Sequence, residues 1–253
     1  MFNPATERIK QLAENYPERI KELCRIFDKP TNIYIDFANV FGWQEDLGWH
    51  IHIKRLKQLL DSFDTIREIK LYKGTLMGDK KSEDSIEEAK SHHYIVITKP
   101  VKIMNLSIDV SSITLTSPEI LKQFIREALL KELSTETIEY LNTQLKKLNQ
   151  QGKKFIKDLK CNFDVEIGTD MLLDYYSGKV ENFVLWSGDS DFADPLRQLL
   201  LNKKKVTLFA TARKVAVELN ELRAYGLFIF DIQKIREFIC WPREMKGSLK
   251  NIL

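Results

Sequence analysis

Cysteine and histidine are scarce in this chain, with three and four residues among 253. Cys24, Cys161 and Cys240 have no metal-ligand spacing and cannot all pair, which excludes a disulfide framework and a cysteine-rich zinc site. The four histidines are too scattered for a histidine-rich metal site. Three cysteines without a pairing pattern are expected to be reduced thiols, so we expect a cytoplasmic protein.

Long apolar runs are also missing from the sequence. No stretch approaches the roughly 18 residues that cross a bilayer, so we expect no membrane segment. The first residues, MFNPATERIKQLAENY, contain no apolar signal core, and we expect no secretory route. The remaining composition is that of a folded domain, because 43% of residues are hydrophobic and 10% aromatic. These fractions exclude disorder and low-complexity structure.

Basic residues are clustered, although the net charge is only +3. Residues 146–160 contain six lysines against one acid, Asp158, and further basic residues lie at 203–205 and at Arg213-Lys214. Two interpretations stay open at this point. The clusters belong either to an ordinary solvated surface or to a surface that follows the phosphates of a nucleic acid.

Short β-branched and aromatic runs alternate with helical periodicity along most of the chain. This alternation predicts an α/β fold of three layers, with a central, mostly parallel sheet between helices. An aromatic-rich loop is expected directly after the first strand. Functional residues of such sheets gather at the carboxyl ends of the strands. The predicted strands are 32–37, 66–72, 94–98, 183–186, 206–210 and 227–230.

Two segments fall outside this alternation. Residues 1–30 predict a helical extension that Pro17 divides into two pieces. Residues of about 106–152 predict an inserted helical hairpin, with a short β segment at 109–116 and Ser134 as the cap of its second helix. The expected bounds elsewhere are 31–240 for the main domain, which contains the insertion, and 241–253 for a C-terminal tail.

Acidic side chains follow two of the predicted strands. Asp36 ends the first strand, and Asp189 and Asp191 lie in the run SGDSDF directly after the fourth. Asp170 is on the helix before that strand, with Asp164 six residues earlier. Carboxylates held close together repel each other and have raised pKa values unless a cation neutralises them. The pattern therefore predicts a cation site at this edge of the sheet.

Oxygen ligands without cysteine or histidine favour Mg²⁺ or Mn²⁺ over zinc. Such an ion lowers the pKa of a bound water and stabilises charge on a phosphate oxygen during in-line attack. Asn39 either bonds a phosphate, holds Asp36 or closes an Asx-type turn. Ser187 is a candidate hydrogen-bonding residue of the loop. No serine–histidine or cysteine–histidine pair stands out as a nucleophile.

Three motifs, in this order along the chain, resemble those of the NYN domain, the LabA-like branch of the PIN-like nucleases. The similarity covers about residues 31–104 and 155–240. The motifs are Ile35-Asp36-Phe37-Ala38-Asn39-Val40, Asp164-Val165 with Asp170, and VLWSGDSDF at 184–192.

The resemblance implies a PIN-like α/β/α fold and a metal-dependent ribonuclease, expected to be an endoribonuclease that cuts RNA with Mg²⁺ or Mn²⁺. It carries acidic site residues over to this chain, with further residues in support. The expected catalytic and metal-binding residues are Asp36, Asp170, Asp189 and Asp191, and the supporting residues are Asn39, Asp164 and Ser187.

The inserted hairpin departs from the usual core of that family. It ends in lysines that lie close in sequence to the acidic helix, so we expect it to form one wall of an RNA groove. A homodimer contact and a plain solvated hairpin are the alternatives. The expected RNA-binding residues are Lys153, Lys154, Lys157, Lys160, Arg213 and Lys214.

Two other functions compete with the nuclease. A metal-dependent phosphatase of the haloacid-dehalogenase type also uses an Asp-x-Asp pair, but there the pair follows the first strand. Here Asp189-Ser190-Asp191 comes late, and Asp36 has no acid two residues further on. The second competitor keeps the fold and binds RNA or a protein without cutting. The intact acid set disfavours it, because a binding domain has no need of clustered carboxylates beside phosphate.

Overall fold

The secondary structure is given for residues 1–211 and 214–245, which the computed structural model describes. Its strands are β1 (Thr31–Asp36), β2 (Ile66–Thr75), β3 (Ile95–Pro100), β4 (Lys102–Ser107), β5 (Phe155–Lys160), β6 (Asn182–Trp186), β7 (Lys205–Ala210) and β8 (Phe228–Asp231). Its α-helices are α1 (Glu7–Asn15), α2 (Pro17–Ile26), α3 (Phe37–Leu47), α4 (Ile53–Leu60), α5 (Lys80–Ser91), α6 (Glu127–Glu132), α7 (Thr135–Gln150), α8 (Asp164–Ser177), α9 (Ala193–Leu201), α10 (Val217–Glu221) and α11 (Arg236–Ile239).

A parallel sheet of six strands, in the order β3-β2-β1-β6-β7-β8, is the framework of the larger compact unit. Among the described residues, this unit consists of 1–100, 162–211 and 214–245. Helices flank the sheet, so the predicted α/β fold with three layers is confirmed. The strand order reverses direction between β1 and β6, and ligands of such sheets bind outside the carboxyl ends of the strands at that point.

The two strands at this switch point are buried along their whole length. A parallel strand covered on both faces reads as a continuous apolar run, as in the segment FVLW of β6. The burial of Trp186, Tyr34 and Phe183 gives the centre of the sheet a rigid aromatic core. The residues that follow β1 and β6 are therefore held by a well-packed scaffold.

The segment after β1 differs from its prediction. The expected aromatic-rich loop is the helix α3, whose first residue follows Asp36 directly. Asp36 caps this helix, because its Oδ1 accepts a hydrogen bond from the Asn39 backbone N–H at 3.3 Å. The aromatic residues suggested no helical periodicity, and the strand-ending aspartate is in fact the helix start.

The N-terminal extension folds as two helices, as predicted. Thr6 caps α1 by accepting a hydrogen bond from the Ile9 N–H, and Pro17 is the first residue of α2. Proline suits a first helical position because its missing N–H has no intrahelical partner there. Leu12 and Leu23 from these helices are buried, so the extension is part of the packed unit.

Residues 101–161 form the second compact unit. It contains the antiparallel pair β4–β5 and a small apolar core around Leu121, Leu130 and Ile138. Ser134 caps α7, as predicted. The β segment predicted at 109–116 is wrong, because those residues form turns and the strand is β4. Strand β5 was also missed, since its lysines broke the apolar pattern.

None of the helices in the described ranges, 1–211 and 214–245, has both the length and the apolar character that a bilayer crossing requires.

Candidate active site

Asp36 lies at the carboxyl end of β1 and is 8% exposed. Its Oδ2 accepts a hydrogen bond from the Ser187 hydroxyl at 3.2 Å, across to the end of β6. Burial raises the pKa of Asp36, while hydrogen bonds from the Asn39 N–H and Ser187 oppose that rise and the charge of Asp189 adds to it. One buried carboxylate thus joins the two strands at the switch point.

A close backbone approach shapes the turn after β6. The Gly188 N–H donates to the Asn39 side-chain oxygen at 3.1 Å, and its carbonyl accepts from the Ala216 N–H at 3.0 Å. A Cβ at Gly188 would lie 1.9 Å from the Lys214 carbonyl oxygen, so only glycine fits there. The turn after β6 is therefore held between Asn39 of α3 on one side and the segment 214–216 on the other.

Asp189 and Asp191 form the acidic turn itself. Asp189 caps the short 3₁₀ helix 190–192, with its Oδ1 accepting the Asp191 N–H at 3.2 Å. The Asp189 N–H in turn donates to the Ser187 hydroxyl oxygen at 3.3 Å. Asp191 is exposed and Asp189 half-buried, so both carboxylates are accessible to a ligand.

Asp164 joins these acids from the first residue of α8. Burial raises the pKa of Asp164 to about 6, against the hydrogen-bonding contribution of Asn162, and the negative charges of Asp189, Asp191 and Asp36 raise it further. We call Asp36, Asp164, Asp189 and Asp191 the rim acids. Within the described residues, no ion pair joins a rim acid to a lysine or arginine.

Asp170 is placed differently from Asp164. Six residues along α8 correspond to about 9 Å of helix rise. The Asp170 carboxylate accepts a hydrogen bond from the Tyr72 hydroxyl of β2 at 2.6 Å, whereas the charges named as raising the pKa of Asp164 are those of Asp189, Asp191 and Asp36. The sequence motif ranks Asp170 above Asp164, whereas the structure groups Asp164 with the strand-end acids.

Asp174, one turn beyond Asp170, has a full set of partners. It accepts hydrogen bonds from Asn32 at 2.9 Å, Tyr34 at 2.5 Å and Lys70 at 2.8 Å. Burial alone would raise the pKa of Asp174, but these three hydrogen bonds lower it overall. We call Asp170 and Asp174 the inner acids, since each accepts hydrogen bonds from strand residues.

The lysines expected to bind RNA lie in two different units. In the unit of residues 101–161, Lys154 pairs with Asp109 at 2.9 Å, while Lys160 lies 3.8 Å from Asp158. Lys153 and Lys157 are exposed and have no ion pair with a described residue. In the larger unit, Lys214 pairs with Asp46 at 2.7 Å. Arg213 lies outside the described residues.

The donor chemistry of the rim suits a hard divalent ion. Its donors are carboxylates with no cationic partner in the described chain, and the pKa values of Asp36 and Asp164 are raised, an environment that a cation would stabilise. No group of three or more histidine, cysteine, aspartate and glutamate side chains in that part of the chain is arranged to hold a metal. Mg²⁺ is usually held by one or two carboxylates together with water and substrate phosphate, so the rim fits this mode.

Comparisons with known proteins agree with this architecture. The crystal structure of a protein of unknown function from Vibrio parahaemolyticus is similar, with a TM-score of 0.50 over 83% of this chain and 95% of that one. The two sequences are 15% identical, so this similarity shows the fold alone. No curated protein matches the sequence. The NYN domain family matches residues 30–229. The chain therefore belongs to the NYN domain family, within the PIN-like nuclease superfamily.

Proposed function

We propose that this protein is a metal-dependent endoribonuclease that hydrolyses RNA phosphodiester bonds at the rim acids. The observation that carries the proposal is the position of Asp36 at the switch point of the sheet, where hydrogen bonds from Ser187 and to Asn39 link the end of β1 to the turn that carries Asp189 and Asp191. NYN domains belong to a superfamily of nucleases that act on RNA and usually use divalent metals. A carboxylate rim without its own cation is consistent with that chemistry.

The side chains of the rim have distinct roles in this proposal. Asp36, Asp164, Asp189 and Asp191 are the candidate ligands, and one or two of them would hold Mg²⁺ or Mn²⁺ together with water and substrate phosphate. The ion would supply charge stabilisation at the phosphate oxygens and activation of water. Ser187 orients Asp36 by donating to its Oδ2. Asn39 positions the turn by accepting the Gly188 N–H. These hydrogen bonds keep the carboxylates in place before substrate arrives, which lowers the cost of reorganisation.

RNA cleavage with and without metal tests the proposal. We expect the wild type to cut single- or double-stranded RNA with Mn²⁺ or Mg²⁺ and not with EDTA. Asp189→Asn should reduce the rate by about 100-fold or more, because it removes charge while leaving an acceptor for the Asp191 N–H. Asp194→Asn is the matched control, since Asp194 is exposed and pairs with Arg197 instead.

A circular RNA distinguishes the cutting mode, because it has no ends and is linearised only by an endonuclease. A folded protein that binds RNA but cuts no substrate in any metal would contradict the proposal. That result would favour the non-catalytic RNA- or protein-binding function instead.

We also propose that the β4–β5 pair contacts RNA. Lys157 shares one face of this pair with Phe155 and Leu159, by the alternation of side chains along a strand. Phe155 is 58% exposed and Leu159 is 52% exposed. An exposed aromatic ring can stack on a base, and the neighbouring lysine, which has no acid partner among the described residues, can neutralise a phosphate.

Charge reversal tests this second part of the proposal. Lys153→Glu with Lys157→Glu should weaken RNA binding and reduce the slope of log K against log salt by about 0.7 for each lost contact to a single strand. Lys122→Glu, at another exposed lysine of the same unit, is the control. Equal affinity and equal slope in the double variant would exclude these lysines from the RNA interface.

A further inference from the structure

A second cluster of charge lies in a cavity of about 380 Å³ beside α1 and α4. Arg8 and Arg55 line it and are only 7% and 5% exposed. Lys54 and Glu7 also line it, so three cationic side chains face one acid. Within the described residues, neither arginine forms an ion pair with a carboxylate.

The two guanidinium groups are close enough to oppose each other. Burial, and then the charge of Arg55, lower the pKa of Arg8 to about 10. Burial also lowers the pKa of Arg55, whereas the charges of Cys240 and Glu237 act to raise it. Buried cations of like sign are unfavourable unless an anion compensates them. Arg8 and Arg55 are nevertheless both buried beside this cavity.

The two arginines use only some of their N–H donors in hydrogen bonds to the protein. Arg8 donates to the Phe238 carbonyl at 3.0 Å and to the Gln58 amide oxygen at 2.9 Å. Arg55 donates from Nη1 to the Cys240 carbonyl at 3.0 Å and to the Met245 sulfur at 3.1 Å. Its Nε and Nη2 have no hydrogen bond to a described residue. A guanidinium has five N–H donors, so Arg55 has donors left for a ligand.

A structural role in capping the C-terminal end of α11 does not explain why two charged side chains are buried there. The Phe238 and Cys240 carbonyls lie at the end of that helix, and one neutral donor each would satisfy them. One further feature of the cavity favours an anion. The positive end of the α1 dipole lies at the wall formed by Thr6 and Glu7.

We infer that this cavity is a binding site for a phosphate group, held by Arg8, Arg55 and Lys54. The planar guanidinium fork matches two phosphate oxygens at once, and a tetrahedral phosphate has enough oxygens for several cationic partners. The ligand is either free phosphate or the terminal phosphate of an RNA strand. None of the residues that line the cavity is a rim acid.

Titration of the full chain with inorganic phosphate in EDTA tests this inference. Calorimetry, with chloride at the same ionic strength as reference, should show saturable binding. Arg55→Gln should weaken it by about tenfold or more, because it removes charge-assisted hydrogen bonds. Lys54→Gln, at an exposed position that leaves the fold intact, should weaken it by about three- to tenfold. Lys81→Gln, an exposed lysine on α5, should leave it unchanged.

Competition identifies the source of the phosphate. An oligoribonucleotide with a 5′-phosphate should displace inorganic phosphate, and its 5′-hydroxyl counterpart should not, if the RNA end is the ligand. Displacement by neither strand indicates free phosphate. Absence of saturable binding overturns the inference, and so does equal affinity in the wild type and Lys54→Gln. EDTA keeps these outcomes independent of cleavage, so the nuclease proposal and this one fail separately.

Discussion

The helix α8 has aspartates at three levels, and their surroundings differ. Asp164 at its first residue lies among other carboxylates, and its pKa is raised to about 6 by burial and by those charges. Asp174, ten residues further on, accepts hydrogen bonds from Lys70, Tyr34 and Asn32, which lower its pKa. Asp170 lies between them and accepts a hydrogen bond from Tyr72. The ionised carboxylate of Asp164 therefore destabilises the folded state, whereas that of Asp174 stabilises it.

This contrast separates residues that favour the fold from residues that favour a ligand. Asp174 has its partners within the chain, and its lowered pKa means that its charge stabilises the folded state. Asp36 and Asp164 have raised pKa values and no cation as partner in the described chain, so their charges cost stability and attract a cation from solution. Substitutions should therefore affect the two sets in opposite ways, and each of the following variants tests that difference.

Asp164→Asn should have the largest effect on activity. We expect RNA cleavage to fall by about 100-fold or more, since a carboxylate proposed to hold the divalent ion is lost. The free energy of unfolding should not fall, because repulsion from the other rim acids is relieved. Cleavage rates and chemical denaturation at pH 7 measure the two quantities. Glu166→Gln is the control, because Glu166 is on the same turn but pairs with Lys99.

Both outcomes are needed for this variant. Lost activity together with lost stability would make Asp164 a structural residue of α8. Retained activity would indicate that Asp170 and not Asp164 acts with Asp36, Asp189 and Asp191, as the sequence motif predicts.

The sequence predicted much of the fold but only part of this grouping. The alternation of apolar strands and amphipathic helices is local in sequence, so the parallel sheet and the strand-end position of Asp36 followed from it. The charge environments of Asp164 and Asp170 depend on β1, β2 and β6, which no local pattern describes. Arg8 and Arg55 come from distant segments, and their burial had no signal in sequence. The catalytic role predicted for Asp170 stays a prediction.

Asp174→Ala should have the largest effect on stability. It removes the acceptor shared by Lys70, Tyr34 and Asn32. Among the described residues, the largely buried Lys70 ammonium group then keeps one ion pair, with Glu68 at 3.4 Å. We expect the free energy of unfolding to fall by about 3 kcal/mol, as when one partner of a buried pair is removed. Asp194→Ala, which breaks an exposed pair, should change it by less than about 1 kcal/mol.

The pH dependence of that loss has a definite sign. The folded pKa of Asp174 lies below the unfolded value of about 3.9. Its contribution is therefore complete above about pH 4 and disappears as pH falls through the lower, folded pKa. The difference in stability between wild type and Asp174→Ala should shrink below about pH 4. A difference that stays constant down to pH 2 would contradict the assignment of Asp174 as an ion-paired acid.

Gly188→Ala tests how the acidic turn is held. The new Cβ would lie 1.9 Å from the Lys214 carbonyl oxygen, so the backbone must move. We expect a loss of about 2 kcal/mol in the free energy of unfolding, together with slower cleavage as Asp189 is displaced. Gly168→Ala is the matched control, because its Cβ would meet Pro195 at an ordinary 3.5 Å. That variant should be neutral or slightly stabilising, since alanine favours helix.

Tyr72→Phe should have the smallest effect, and it decides where Asp170 belongs. The change removes one hydroxyl that donates to Asp170 at 2.6 Å and leaves the ring buried. We expect the free energy of unfolding to fall by about 1 kcal/mol, the net contribution of one hydrogen bond. If Asp170 is an inner acid, cleavage should be unchanged at temperatures where the variant is folded. A cleavage rate that falls tenfold at unchanged stability would instead show that Tyr72 orients Asp170 for the reaction, and the boundary between the two sets of acids would then lie beyond Asp170 on α8.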